Sequence, residues 1–176
     1  MKNLLFSILF SFSLFSCDRD PDKNVNPNVL PEATQSGKNT AGALVDGKVW
    51  VASKNYDSET FVELYNNHAI ITIDLKSVSD NSRIFIRASI DNFELNKIYE
   101  LNQNPESDFN FATYNDNTGK GYLTQPNSEY ICKLKITKLN HVQDQMVCGT
   151  FEFKAVDNNG NAINITDGRF DKKFLQ

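Results

Sequence analysis

The strongest constraint on the fold is a period-two alternation of apolar and polar residues in the last third of the chain, residues 130–171. Successive side chains of a β-strand point to opposite faces of a sheet, so this alternation predicts strands with one buried face. The predicted buried faces consist of Cys132, Leu134 and Ile136 on one strand and Val147, Gly149, Phe151, Phe153 and Ala155 on the next.

Two glycine-containing turns divide the same region. Asn159-Gly160 supplies the positive φ of a tight turn, and Ile163 and Ile165 then begin a third strand. Asp167-Gly168 indicates a further turn or a β-bulge. The last third of the chain is therefore predicted to be a three-stranded meander.

The preceding residues repeat the pattern of short alternating segments separated by polar turns. A hairpin is predicted over residues 41–53, with Asp46-Gly47 as its turn. No window keeps a helical period over more than about two turns. We therefore expect an all-β fold, an antiparallel β-sandwich or flattened barrel of about eight to ten short strands. The other predicted strands cover residues 60–66, 68–76, 83–90, 93–101, 109–115 and 120–125.

Four motifs stand out in this chain: ITKLN, GTFEFKAVDNNG and ITDGRFD near its end, and PEATQSGKNTAGALVDGKVW upstream. Together they resemble a domain-of-unknown-function family of small lipoproteins from Bacteroidota. The resemblance implies an exported, lipid-anchored β-domain and assigns no activity to any residue.

The first residues have the pattern of a lipoprotein leader. Lys2 precedes an apolar run that is too short to span a bilayer, and Leu14-Phe15-Ser16-Cys17 is similar to a lipobox. We expect residues 1–16 to be a signal peptide and Cys17 to carry the lipid, although a leader that merely ends at a cysteine has the same pattern. Acyl chains gain about 0.8 kcal/mol per buried CH₂, so the membrane is the expected partner of Cys17.

Residues 17–40 are expected to be the lipidated cysteine and a disordered tether, and residues 41–176 a single β-domain. The tether contains three prolines and little apolar periodicity, so it cannot offset the entropy of ordering. Asp18, Asp20 and Asp22 resemble signals that send lipoproteins of this phylum to the cell surface, but acidic residues are also common in tethers. An outer-membrane lipoprotein is expected, facing the periplasm or exposed at the surface.

The chemistry-bearing residues do not form a known catalytic or metal-binding motif. His68 and His141 lie far apart in the sequence, and the two cysteines of the domain are not in a CxxC pair. Asp157 begins a sequence like that of a calcium loop, but the glycine and glutamate that such a loop requires are missing, which favours a polar turn. We expect no enzyme, no metal and no cofactor. The formal net charge of −4 without basic clusters argues against nucleic acid.

Cys132 and Cys148 lie on adjacent predicted strands in an exported domain, where a disulfide is permitted. Pairing the two strands across their loop places neither cysteine opposite the other. Two free and largely buried thiols are therefore predicted.

The candidate binding surface consists of Phe61, Tyr65, Arg83, Phe85 and Arg87. These residues lie on the outward faces of two predicted strands, and they share one outer face if those strands are neighbours. Packing of the same side chains against each other or under a loop is the alternative.

The sequence thus favours a non-catalytic, lipid-anchored binding or structural domain with an unknown protein or glycan partner. The alternatives are a barrel that carries a small apolar ligand and an envelope hydrolase.

Overall fold

The computed structural model describes residues 23–54, 58–101, 110–126, 130, 132–143 and 145–174. The predicted signal peptide and Cys17 lie outside these residues. The described residues form eleven β-strands and no helix, which confirms the all-β prediction. The strands are β1 (Thr40–Val45), β2 (Lys48–Val51), β3 (Glu59–Tyr65), β4 (His68–Lys76), β5 (Arg83–Asp91), β6 (Ile98–Glu100), β7 (Phe111–Asn115), β8 (Gly121–Leu123), β9 (Lys133–Asn140), β10 (Met146–Val156) and β11 (Ala162–Lys173).

All eleven strands belong to one antiparallel sheet that curls into a half-barrel. Its main order is β2-β1-β11-β10-β8-β7-β5-β4-β3, while β9 pairs with β10 and β6 pairs with β9. A bridge between Ala52 and Ser77 joins the end of β2 to the residue after β4. The Ser53 amide donates to the Lys76 carbonyl at 2.8 Å beside it. The two predicted architectures were a β-sandwich and a flattened barrel, and the curled sheet corresponds to the flattened barrel.

The hairpins follow from residues that accept positive φ. Asp46 and Gly47 have φ values of 45° and 76° in the turn between β1 and β2, as a two-residue hairpin turn requires. Asn66 has a φ of 53° between β3 and β4. These turns set β1 beside β2 and β3 beside β4.

β11 remains one strand because Asp167 forms a bulge, one of the two outcomes predicted for Asp167-Gly168. Asp167 has a φ of 50°, and the pairing of β10 with β11 shifts register between Phe151 and Phe153. The next residue, Gly168, lies so close to β10 that an added Cβ would be 2.4 Å from the Phe151 carbonyl oxygen. Only glycine fits at this close approach.

The concave face of the sheet carries the predicted apolar alternation and holds the core. β4 and β5 bury every second residue, and Ile71, Ile73, Ile84 and Ile86 are fully buried. Phe153 of β10 packs into the same cluster. Each such side chain contributes about 1.5–3 kcal/mol on burial. The periodicity of the strands therefore accounts for the buried face.

Residues 30–39, named the strap here, lie against the sheet, whereas the sequence placed them in the disordered tether. Asp171 of β11 accepts hydrogen bonds from Thr34 Oγ1 at 2.6 Å and from the Gly37 amide at 2.7 Å. Pro31 lies over Gly42 of β1, where a Cβ would meet its ring at 2.7 Å. The composition alone suggested that the entropy of ordering this segment was too large to offset. Charge-assisted hydrogen bonds to the buried carboxylate of Asp171 offset it.

Among the residues that the structure describes, no helix has the length and apolarity needed to cross a membrane.

Candidate binding surface

The predicted surface residues lie on β3 and β5, but these strands are not neighbours. β4 pairs with β3 on one side and with β5 on the other. The sequence-based hypothesis required β3 and β5 to be neighbouring strands. They are not, because β4 lies between them. Phe61, Tyr65, Arg83, Phe85 and Arg87 still share the outer, convex side of the sheet, since none is among the buried residues of their strands.

Cross-strand register brings part of this set together. Phe61 is opposite Thr72, Thr72 is opposite Arg87, and Arg87 is opposite Phe111 of β7. Directly opposite residues of an antiparallel pair have Cβ atoms about 5 Å apart. The Phe85 and Phe111 rings lie 5.9 Å apart between centroids. One outer surface thus contains Phe61, Arg87, Phe85 and Phe111.

Phe111 was not singled out from the sequence. It belongs to a predicted strand, but its role depends on the pairing of β5 with β7, and a single sequence does not encode that pairing locally. The signal that was present is the outward position of Phe111 in the alternation of residues 111–115.

Arg83 is engaged within the sheet. Its Nε and Nη2 atoms contact the Asp74 carboxylate at 3.1 Å and 2.9 Å, which is a two-point contact across β4 and β5. Arg83 therefore follows the alternative interpretation, in which these side chains contact neighbouring strands instead of a ligand. Phe61 and Tyr65 are 40% and 61% exposed and are the accessible aromatic residues of the set.

A cleft of about 530 Å³ continues the surface beyond β7. Thr113, one of its lining residues, is the register partner of Phe85. Half of its other lining residues carry amide or hydroxyl side chains, namely Asn115, Tyr122, Gln125 and Asn158, and the rest are Gly121, Leu123, Val156 and Asp157. Neutral amide and hydroxyl groups orient polar ligands through hydrogen bonds.

Asp157 organises the edge of this cleft as a polar turn, the favoured interpretation of its calcium-like sequence. Hydrogen bonds from the Asn161 side chain and from Lys120, whose Nζ lies 2.5 Å from Oδ2, hold the pKa of Asp157 well below its usual range. The amides of Asn159 and Asn161 donate to Oδ1 at 2.9 Å and 2.8 Å. The carboxylate oxygens of Asp157 are thus bonded by groups of its own turn and by Lys120 of the β7–β8 connection. No group of three metal-ligating side chains occurs among the residues described.

His68 joins two side chains that the sequence analysis did not connect with it. Its Nδ1 lies 2.8 Å from Asp91 Oδ1, and its Nε2 lies 3.2 Å from Ser89 Oγ. This order of atoms is that of a Ser-His-Asp catalytic triad. The arrangement arises because β4 and β5 pair His68 with Asp91 and Ile70 with Ser89.

Two features set this constellation apart from a working triad. The Asp91 side chain is 87% exposed, whereas the acid of a triad is buried where it orients the histidine. The Ser89 amide donates to Asn110 Oδ1 at 2.6 Å, so the nearest backbone donor for an oxyanion is already used. We interpret the three residues as a polar cross-strand contact beside Tyr65.

Cys132 and Cys148 are buried thiols that form no disulfide with each other, as predicted. Cys148 is opposite Lys138, and the pairing of β9 with β10 shifts register between Cys148 and Gly149. Burial, followed by the hydrogen bond to Asp171, raises the pKa of Cys148 to about 12. Burial also raises the pKa of Cys132. We therefore expect both thiols to be protonated at neutral pH, the form that is not the nucleophile.

Comparison with known proteins places the domain in a family. No curated protein and no solved structure matches the chain. A family model described as a domain of unknown function, DUF6252, matches residues 40–172. The match runs from the first residue of β1 into β11 and agrees with the resemblance to a domain of unknown function. Because it covers well over half of the sequence, this chain belongs to the DUF6252 family.

Proposed function

We propose that this protein is a lipid-anchored cell-envelope protein whose β-domain binds a glycan on the outer face of β3, β4, β5 and β7, without catalysis. The observation that carries the proposal is the continuity of the aromatic surface with the amide-lined cleft. Phe85 and Thr113 are register partners that connect the two. Aromatic rings present large faces at low entropic cost, and amides supply directional hydrogen bonds.

A glycan fits this combination better than a protein partner does. The cleft residues Asn115, Gln125 and Asn158 are neutral donors and acceptors, which suit sugar hydroxyls. A protein partner is the alternative that the same exposed rings support.

The anchor is proposed from the leader and from the family resemblance. Leu14-Phe15-Ser16-Cys17 has the spacing of a lipobox, and the resemblance of the domain's motifs to Bacteroidota lipoproteins supports an outer-membrane location. The membrane would then be a partner through Cys17. The domain would face the periplasm or the cell exterior.

The carrier alternative requires interior space for an apolar ligand. The concave side of the sheet is occupied by the buried side-chain cluster that includes Phe151, Phe153 and Trp50. The outer surface therefore supports the proposal better than the interior supports a carrier.

Binding of the detergent-solubilised protein to an array of envelope and extracellular polysaccharides tests the glycan proposal. We expect binding to at least one glycan, weakened about tenfold or more in a Phe61→Ala, Phe85→Ala double variant. Val49→Ala is the control, since Val49 is 38% exposed on β2, which is not one of the strands of this surface, and Phe61 is 40% exposed. Absence of glycan binding, or equal binding by the double variant, contradicts the proposal. A protein captured by crosslinking through Phe61 favours the alternative.

Metabolic labelling with an alkyne-bearing palmitate tests the anchor. We expect the label on the native chain and its loss in Cys17→Ser. A label that persists in Cys17→Ser rules out this attachment site.

A further inference from the structure

A second cleft lies on a different part of the outer face, across β9, β10 and β11. Its volume is about 490 Å³. Ala33 of the strap and Ile98 of β6 are among its lining residues, together with residues of the three strands. This cleft is separate from the aromatic surface on β3, β4, β5 and β7.

Three polar residues form a row across the floor of this cleft. Lys135 of β9 is opposite Thr150 of β10, and Thr150 is opposite Arg169 of β11. Neighbouring strands are about 4.8 Å apart, so the backbones at Lys135 and Arg169 are separated by about 10 Å with the Thr150 hydroxyl between them. Two cations and a hydroxyl at this spacing surround a space the size of one anionic group.

The acidic residues of the cleft leave this row positively charged. Glu152 is engaged by Lys133, whose Nζ lies 2.6 Å from Oε1. Asp167 forms a longer ion pair with Arg169, with 3.9 Å between Oδ1 and Nη2, so the lining of the cleft has three cations against two carboxylates. Lys135 makes no ion pair within the part of the chain that the structure describes. The cleft is therefore locally cationic in a chain with a formal net charge of −4.

The Arg169 side chain is held in place from one side. Its Nε donates to the Asp167 carbonyl oxygen at 3.0 Å. The bulge at Asp167, with its φ of 50°, sets the position of that carbonyl. A guanidinium fixed through Nε retains its Nη donors for a carboxylate or phosphate.

Beside the polar row the cleft is apolar. Ile98 is 57% exposed and is the register partner of Lys135, so its side chain lies next to the lysine. Ala33 lines the cleft as well, and Gly168 leaves its floor without a side chain over Phe151. Apolar walls next to a cationic row suit a ligand with a charged head and a short hydrophobic body.

We propose that this cleft binds a small organic anion, with its carboxylate or phosphate group between Lys135 and Arg169 and its apolar body against Ile98 and Ala33. The Thr150 hydroxyl donates a hydrogen bond to the same group. This site is independent of the proposed glycan surface, because the two share no lining residue and can be altered separately.

Titration of the full-length protein in detergent, followed by amide NMR at constant ionic strength, tests the site. The probes are hexanoate, hexyl phosphate, acetate and the neutral hexanol. We expect hexanoate, hexyl phosphate or both to shift the amides of Lys135, Thr150 and Arg169 at millimolar concentration. Hexanol is expected to leave these amides in place, and acetate to bind more weakly than hexanoate. The stronger of the two six-carbon probes identifies the head group as a carboxylate or a phosphate.

Two variants separate the contributions of charge and apolar contact. Lys135→Met keeps the length of the side chain and is expected to weaken binding of the anions about tenfold. Ile98→Asn is expected to reduce the affinity for hexanoate to that for acetate. Lys48→Met, on the exposed part of β2, is the control and is expected to bind as the native protein does.

The proposal is overturned if neither six-carbon anion shifts the three amides. It is also overturned if hexanol shifts them equally, or if Lys48→Met weakens binding as much as Lys135→Met. Loss of glycan binding in the Phe61→Ala, Phe85→Ala variant leaves this test unaffected, so the two proposals fail independently.

Discussion

Cys148 and Asp171 face each other across β10 and β11, and the Cys148 thiol donates a hydrogen bond to Asp171 Oδ1 at 3.2 Å. The same carboxylate accepts hydrogen bonds from Thr34 Oγ1 and from the amides of Ser36 and Gly37 in the strap. A single buried side chain therefore connects the segment before β1 to the last strand of the sheet.

Acid is expected to release the strap. Burial alone would raise the pKa of Asp171, but hydrogen bonds from Thr34, the Ser36 amide and Cys148 outweigh it and lower the pKa to about 2. A folded-state pKa below the unfolded value of 3.8 contributes stability that is present above pH 3.8 and lost as the pH falls towards 2. The shift corresponds to about 2 kcal/mol. Urea unfolding between pH 5 and pH 2 measures it.

Asp171→Asn is expected to lose most of this contribution at neutral pH and to show a weaker pH dependence in the same window. Glu63→Gln removes an exposed carboxylate of β3 and is expected to stay within about 0.5 kcal/mol of the native protein. Equal stability and equal pH dependence of Asp171→Asn and the native chain would contradict the role assigned to the carboxylate.

The buried cysteines are expected to resist thiol reagents in the folded protein. Burial raises the pKa of both thiols, that of Cys148 to about 12, so little thiolate exists at pH 8. We expect slow reaction with Ellman's reagent in native buffer and rapid reaction of both thiols in denaturant without reductant. Loss of these two thiols in unreduced, denatured protein would instead indicate a disulfide between Cys132 and Cys148.

Much of the fold was predictable because strand formation depends on local pattern. The strand His68–Lys76 and the turn at Asp46-Gly47 were placed correctly, since alternation and positive φ are properties of neighbouring residues. The strap was not predictable in this way. Thr34 and Asp171 are 137 positions apart, and no local signal connects them.

The candidate sites were also predictable only in part. The outward positions of Phe61 and Arg87 follow from the alternation, but their alignment through Thr72 depends on the order of β3, β4 and β5. The row Lys135, Thr150 and Arg169 depends on two registers and on the bulge at Asp167. Local patterns supplied the faces of the strands, whereas long-range pairing determined which faces meet.

Gly168→Ala is expected to destabilise the domain by about 1–3 kcal/mol, the usual cost of overpacking. An added Cβ would lie 2.4 Å from the Phe151 carbonyl oxygen, and a backbone atom in the sheet cannot move aside cheaply. Gly121→Ala is the matched control, because its nearest atom is Asn115 Oδ1 at 3.0 Å, at the end of a movable side chain. Thermal unfolding of both variants measures the difference. Equal melting temperatures would contradict the close approach at Gly168.

Hydrolysis of p-nitrophenyl acetate decides whether Ser89, His68 and Asp91 act as a triad. We expect the native protein to hydrolyse the ester no faster than Ser89→Ala does, because the exposed Asp91 holds the imidazole weakly and Asn110 occupies the Ser89 amide. An imidazole that acts without the serine would produce a slow background rate, which His68→Asn removes and Ser89→Ala retains. A working triad would instead lose at least about a hundredfold in rate on the Ser89 substitution. A Ser89-dependent rate of that size, or a stable acyl group on Ser89 detected by mass spectrometry, would contradict a purely binding role for this face of the sheet.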